Sequence, residues 1–133
     1  MKRIILFLSV LLVLGCESDS TIEGSENLIG YWVDPVFGES TITFIKDKAF
    51  KDDDFGIVFK SNHKFAEMKM SGWCATPPIS YAVFDGKWEK KRDLLNITVG
   101  YWGGKIDRQW KIISISNSKL IISVLKEHYI EER

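Results

Sequence analysis

The chain reads as an all-β protein, a single antiparallel sheet of eight strands closed into an up-and-down barrel. Three observations predict this. Short runs rich in Val, Ile, Thr and aromatic residues recur at intervals of roughly ten residues, separated by Gly, Asn, Asp, Pro and Lys clusters. Several runs alternate apolar and polar side chains, the two-residue period of a strand whose faces differ. No stretch past Leu28 keeps a 3.6-residue period long enough for a helix.

Strands are expected at Gly30–Asp34, Thr41–Lys46, Gly56–Ser61, Lys64–Met70, Ile79–Lys90, Leu94–Gly100, Arg108–Ser116 and Lys119–Lys126. In the fourth, Ala66, Met68 and Met70 share one face, and Glu67 and Lys69 the other. The Met68–Met70 stripe suits an apolar cavity or a packed core. In the sixth, Leu95, Ile97 and Val99 oppose Asn96 and Thr98; in the eighth, Leu120, Ile122 and Val124 share a face. Ser61-Asn62-His63-Lys64 and Ser116-Asn117-Ser118-Lys119 read as hairpin turns, with Asn tolerating positive φ. Lys90-Lys91-Arg92-Asp93 reads as a solvated turn. Short sequential connections favour a meander, and closure removes exposed strand edges. A barrel of eight strands either fills its inside or keeps room for one small ligand. The domain is expected over residues 28–126, with 127–133 a polar C-terminal tail.

Ahead of it the chain opens MKRIILFLSVLLVLGC. Lys2 and Arg3 are a short positive segment, and Ile4 to Leu14 is apolar apart from Ser9. A helix of that length reaches about 16 Å, short of the roughly 30 Å hydrocarbon core, so a secretory signal segment fits and a spanning helix does not. The run ends in Val13-Leu14-Gly15-Cys16, which resembles a lipobox, the recognition site of lipoprotein signal peptidase. The resemblance implies that residues 1–15 are removed and that Cys16 becomes the lipidated first residue of an exported bacterial lipoprotein. Two acyl chains anchor a protein stably, and a fully modified Cys16 would carry three. Glu17 follows Cys16, in place of the Asp that retains lipoproteins in the inner membrane of enteric bacteria; by that analogy the outer membrane is the expected location. Residues 16–27 continue as a polar stretch that buries too little apolar surface to order, and read as a flexible tether.

From Cys16 onward the chain carries 16 basic and 18 acidic residues. No basic stripe is available to neutralise phosphates, which argues against a nucleic-acid partner. With Cys16 lipidated, Cys74 is left without an intrachain disulfide partner. The two histidines, His63 and His128, fall in a turn and in the tail, and neither is brought to Cys74 by any legible pattern. A small thiol packing under its loop is therefore the favoured reading of Cys74. Lys51-Asp52-Asp53-Asp54 lacks the fixed Gly and distal Glu of a calcium loop and reads as a solvated turn. No metal site and no cofactor are expected. No acid–base or nucleophile–base pair stands at a legible spacing, so an enzyme is not expected either.

Leu28-Ile29-Gly30-Tyr31-Trp32 resembles the start of lipocalin-like domains, where a Gly-x-Trp heads the first strand and the Trp closes one end of the barrel. A second Gly-x-Trp (Gly86, Trp88) and a last strand pair reading W-K-I-I-x-I…K-L-I-I-S-V are similar too. The layout from about residue 28 to 126 looks like the small lipocalin-like lipoproteins common in Bacteroidetes. The resemblance implies a barrel-closing structural role for Gly30 and Trp32. The Thr-Asp-Tyr loop and C-terminal helix of secreted lipocalins are missing, so a retinoid or bilin ligand is not carried over.

Two segments are candidates for contact with a ligand or partner. Ser71-Gly72-Trp73-Cys74-Ala75-Thr76-Pro77-Pro78 reads as a stiff loop between strands, and loops on rigid scaffolds commonly carry function. Gly100-Tyr101-Trp102-Gly103-Gly104-Lys105 reads as a second loop, where glycines allow close approach and aromatics offer a stacking surface. Trp73, Tyr101 and Trp102 are the residues singled out. The expected function is a lipid-anchored binding module for a small apolar or amphipathic ligand in or at the mouth of the barrel. The alternative is an interaction, inhibitor or accessory protein with a filled barrel that meets a partner protein or glycan through its aromatic loops. Mass spectrometry of the exported protein is expected to find an acylated Cys16 as the first residue; an unmodified or uncleaved N-terminus would sink the anchor.

Overall fold

The computed structural model describes residues 27–72 and 77–132. Eight strands are present: β1 Gly30–Phe37, β2 Thr41–Asp47, β3 Gly56–Phe59, β4 Lys64–Met70, β5 Tyr81–Lys91, β6 Leu94–Tyr101, β7 Gly104–Ile115 and β8 Lys119–Glu131. They pair antiparallel throughout and close in the order β1-β2-β8-β7-β6-β5-β4-β3. Strand directions alternate up and down around the ring, the barrel that the patterning predicts. The architecture is consistent with a lipocalin-like fold. From β3 to β8, neighbours in sequence are neighbours in the sheet.

One strand stands out of chain order. β1 lies between β2 and β3, pairing with both, so residues 48–55 must cross it. They cross on the outer side: Phe50 meets Tyr31 edge to face at 5.0 Å, and Tyr31 alternates with the buried Trp32. Gly56 is where a side chain would obstruct this crossing, since an added Cβ would sit 2.8 Å from the Phe50 ring. β1 changes register against β2 between Val33 and Val36. Asp34 there has φ 50°, and Pro35, which has no N–H to donate, suits a bulge.

The inside is packed at one end. Leu28, Trp32, Phe44, Ile57, Phe59, Phe65, Trp88, Leu95, Ile97, Val99, Ile106, Trp110, Leu120 and Ile122 form one buried cluster. Trp32 is fully buried, and its indole N–H donates to the Leu28 carbonyl at 2.8 Å. The Lys46 ammonium lies 4.5 Å from the Trp32 ring centre and donates to the Ile29 carbonyl. Desolvation holds that ammonium below its ordinary pKa. Phe59 packs edge to face on both Phe65 and Trp88, and the Trp88 indole donates to the Lys60 carbonyl at 3.0 Å. This is the end where the chain enters at Asn27, and the one that Trp32 closes. Among the described residues, every strand and every buried core residue falls between Leu28 and Glu131, so this segment carries the closed sheet and its core.

Several sequence expectations are corrected. The stretch read as a polar tail is mostly strand: β8 runs to Glu131, with Asp107, Arg108 and Gln109 of β7 paired against His128, Glu127 and Lys126. The loop expected around Tyr101 shrinks to a tight turn at Trp102-Gly103, because β6 reaches Tyr101 and β7 starts at Gly104. Gly104 permits this with φ 152°, where an added Cβ would lie 2.0 Å from the Ile130 carbonyl oxygen. In the β3–β4 turn the positive φ belongs to His63, not Asn62. Its ring packs on Trp88 at 5.5 Å, and its Nδ1 lies 3.2 Å from the Trp88 carbonyl oxygen. The inner face of β4 is Phe65, Glu67 and Lys69; the Met68–Met70 stripe is on the outer face, away from the barrel interior. Phe65 belongs to the core cluster and fixes that parity.

Trp32→Ala is expected to cost about 3–5 kcal/mol, the range for emptying a fully buried aromatic site. Trp102, exposed over half its surface, should tolerate the same change within about 0.5 kcal/mol. Denaturant midpoints of the two variants check the contrast.

Candidate functional site

The ends of β1, β4, β6 and β8 and the starts of β2, β3, β5 and β7 meet at the end opposite Trp32. Here the inside is not packed shut. A cup of about 220 Å³ is lined by Pro35, Phe37, Ile42, Phe44, Phe55, Gly56, Ile57, Glu67, Lys69, Arg108, Trp110 and Glu127. Its wall is largely apolar, with Phe44 and Trp110 tilted together at 6.4 Å. Set into that wall are four charged side chains.

Strand parity brings the charges inward. Glu67 and Lys69 follow Phe65 on the inner face of β4. Arg108 lies between Ile106 and Trp110 on β7, with Glu127 of β8 directly opposite. Glu67 Oε2 accepts from Lys69 Nζ at 2.9 Å and from Arg108 Nη1 at 2.8 Å. Arg108 Nε lies 3.0 Å from Glu127 Oε1, but the N–H is not aligned on that oxygen and has no hydrogen-bond acceptor among the described residues. The contact is an ion pair in distance only. The side chains of Arg108, Lys69 and Glu67 are 8%, 11% and 13% exposed, against 33% for Glu127. Glu127 is thus the member at the rim.

The aromatic neighbours matter to these charges. Lys69 Nζ is 5.2 Å from the Phe84 ring centre and Arg108 Cζ 5.6 Å from that of Trp110. Desolvation lowers the Lys69 pKa, only partly opposed by Glu67. The Trp110 indole N–H is buried with no acceptor among the described residues.

The residues singled out from sequence fare differently. Tyr101 and Trp102 stand at this same end, packed edge to face at 5.5 Å, with Tyr129 against Tyr101 at 5.5 Å. They do not line the cup. Trp73 falls in the β4–β5 connection, which leaves the open end at Met70, but Trp73 and Cys74 lie outside the described residues, as does Cys16. Gly30 and Trp32 are at the closed end. Glu67, Lys69, Arg108, Trp110 and Glu127 were missed. The signal that could have found them is a run of charges on alternate positions next to an inward aromatic: Phe65-x-Glu67-x-Lys69, and Arg108-x-Trp110.

A second hollow, about 300 Å³, lies on the outer side of β5, β6 and β7 and includes Lys87, Glu89, Asn96, Thr98 and Asp107. Three of those five residues have side-chain partners already: Thr98 donates to Asp107 at 2.8 Å, and Gln109 donates to Asn96 at 3.2 Å. The cup, with buried donors still open, is the better candidate. No group of His, Cys, Asp or Glu among the described residues is arranged to hold a metal ion. No helix among them is long and apolar enough to cross a membrane. Comparison with protein-family models, curated proteins and solved structures finds no match for this chain.

Removing Glu67 strands two desolvated cations. Glu67→Gln is expected to destabilise the fold by about 3–5 kcal/mol, whereas Lys105→Ala, which breaks only the exposed 3.4 Å pair with Glu132, should stay within about 0.5 kcal/mol. Lys69 adds a pH dependence. Its folded pKa lies below 10.5, so the unfolded chain binds more protons between the two values, and stability rises as pH climbs through that window. Urea titrations across it should show this rise in the parent protein and a smaller one in Lys69→Met.

Proposed function

We propose that this is a lipid-anchored protein of the bacterial envelope, held in the outer membrane in preference to the inner, that binds a small apolar or amphipathic ligand at the mouth of its barrel. The observation that carries the binding reading is the cup itself: apolar walls, a few convergent polar groups, and buried donors left without acceptors. Sites of this composition orient a ligand by their polar groups and hold it by their walls. At about 220 Å³ the cup falls below the roughly 300–1,000 Å³ of sites that enclose a drug-sized ligand. The ligand therefore sits at the mouth, above a filled lower half, and the protein is not a deep carrier. The anchor rests on the Val13–Cys16 pattern.

A second reading has its own support. Phe37, Trp102 and Tyr129 are 67%, 53% and 55% exposed at the open end. An accessory protein or inhibitor meeting a partner protein or glycan would use that aromatic rim, and a filled barrel would serve it equally well. Native mass spectrometry of the chain from residue 17 onward separates the two. A co-purifying small molecule, lost in Ile42→Trp because the larger side chain fills the cup, is the expected result. A chain that carries nothing and binds apolar fluorophores identically with and without Ile42→Trp would overturn the binding reading.

A further inference from the structure

We infer that the cup selects a small monocarboxylate, with its head group on Lys69, Arg108 and Trp110 and its apolar body against Phe44 and Ile42. This rests on the binding reading above and names the ligand's chemistry.

Charge is the first argument. The three least exposed ionic groups are Lys69, Arg108 and Glu67, two cations against one anion. The balancing charge, Glu127, sits at the rim and is the most exposed of the four. With Glu127 beside Arg108 at 3.0 Å the four charges balance; with Glu127 turned out to water, the inner trio is left with one positive charge that a monoanion would cancel. A cationic head would add to it, and a dianion would exceed it.

Hydrogen bonding is the second. Lys69 Nζ and Arg108 Nη1 both donate to the same oxygen, Glu67 Oε2. Arg108 Nε and Trp110 Nε1 are buried donors with no aligned acceptor among the described residues. An incoming group should bring acceptors and no donors. An ionised carboxylate is acceptor-only, with two oxygens that suit a guanidinium and an adjacent N–H. An alcohol brings one oxygen, no charge and a donor of its own. Glu127 is the group the ligand would replace: its oxygen is near Arg108 Nε but poorly aligned, and it is free to turn to water.

Size is the third. About 220 Å³ is smaller than the roughly 300–1,000 Å³ of sites that enclose a drug-sized ligand. That suits a carboxylic acid of about six carbons and excludes a long-chain lipid tail from full burial.

The test uses a matched six-carbon series on the ¹⁵N-labelled chain from residue 17 onward, which holds the closed sheet and its core. Hexanoate, 1-hexanol and hexylammonium are titrated while the Trp110 indole N–H resonance is followed, assigned by its loss in Trp110→Phe. Hexanoate should bind about tenfold more tightly than hexanol, the discrimination that charge-assisted hydrogen bonds supply, and hexylammonium should bind least. Lys69→Met should lower hexanoate affinity about tenfold and leave hexanol unchanged. Glu127→Gln should raise hexanoate affinity, because the competing intramolecular anion is gone; a residue that merely supported the fold would not do so. Equal binding of the three ligands, or preference for the amine, would overturn the head-group assignment while leaving the cup as a binding site. No movement of the Trp110 resonance with any of them would overturn both.

Discussion

Closure of the sheet between β2 and β8 is the constraint on which the rest of the structure depends. Thr41 to Ile45 pair with Ser123 back to Lys119, and this seam turns a strip of eight strands into a tube. Without it two long edges would be left as templates for pairing with other chains. With it, half of every strand's side chains must find a place in a narrow interior. Trp32, Phe59, Trp88 and their neighbours fill one end outright. That filling is what leaves the other end as the only part of the interior, among the described residues, open to a ligand.

The same closure explains how charges come to lie inside. Arg108 and Glu67 are 41 positions apart in sequence and meet because the inner faces of β4 and β7 look across the tube. Burying ionic groups is expensive, and a buried ion pair is weak evidence for stability, since well-packed apolar residues of the same volume often serve as well or better. A cluster of this kind beside an indole N–H that is buried with no acceptor among the described residues is harder still to account for as packing. It would be economical as the proposed site, because the groups that cost stability in the empty protein are the ones that would orient a ligand.

Much of the barrel was legible because strand periodicity and turn residues act locally. β4 was placed from Lys64 to Met70 in full, and the inward sets of β6 and β8 follow directly from Leu95-x-Ile97-x-Val99 and Leu120-x-Ile122-x-Val124. The interior of the open end was not legible, for a physical reason. The assumption that apolar side chains point inward fails on β4, where Met68 and Met70 are outside and Glu67 and Lys69 inside. Only Phe65, anchored in the core, sets that parity. The expected β8 ended too early, at Lys126: Glu127 fell in the stretch read as a polar tail, yet it faces Arg108 and the backbone continues to pair through Glu131. The insertion of β1 between β2 and β3 is a long-range choice that no local pattern records; only Gly56, small where Phe50 passes, bears its trace.

The position of the chain entry adds a directional argument. Asn27 leads into Leu28 and Trp32 at the closed end, and the cup opens at the other. A lipid-anchored tether joined at the closed end would leave the mouth on the far side of the barrel from its attachment. A ligand lifted out of the bilayer would have to travel round the protein to reach it, whereas one arriving from the aqueous side would meet the mouth directly. Charged groups lining a shallow apolar cup suit that second route. They offer a water-soluble anion compensation for the hydration it gives up, and they offer an uncharged hydrocarbon nothing beyond the walls.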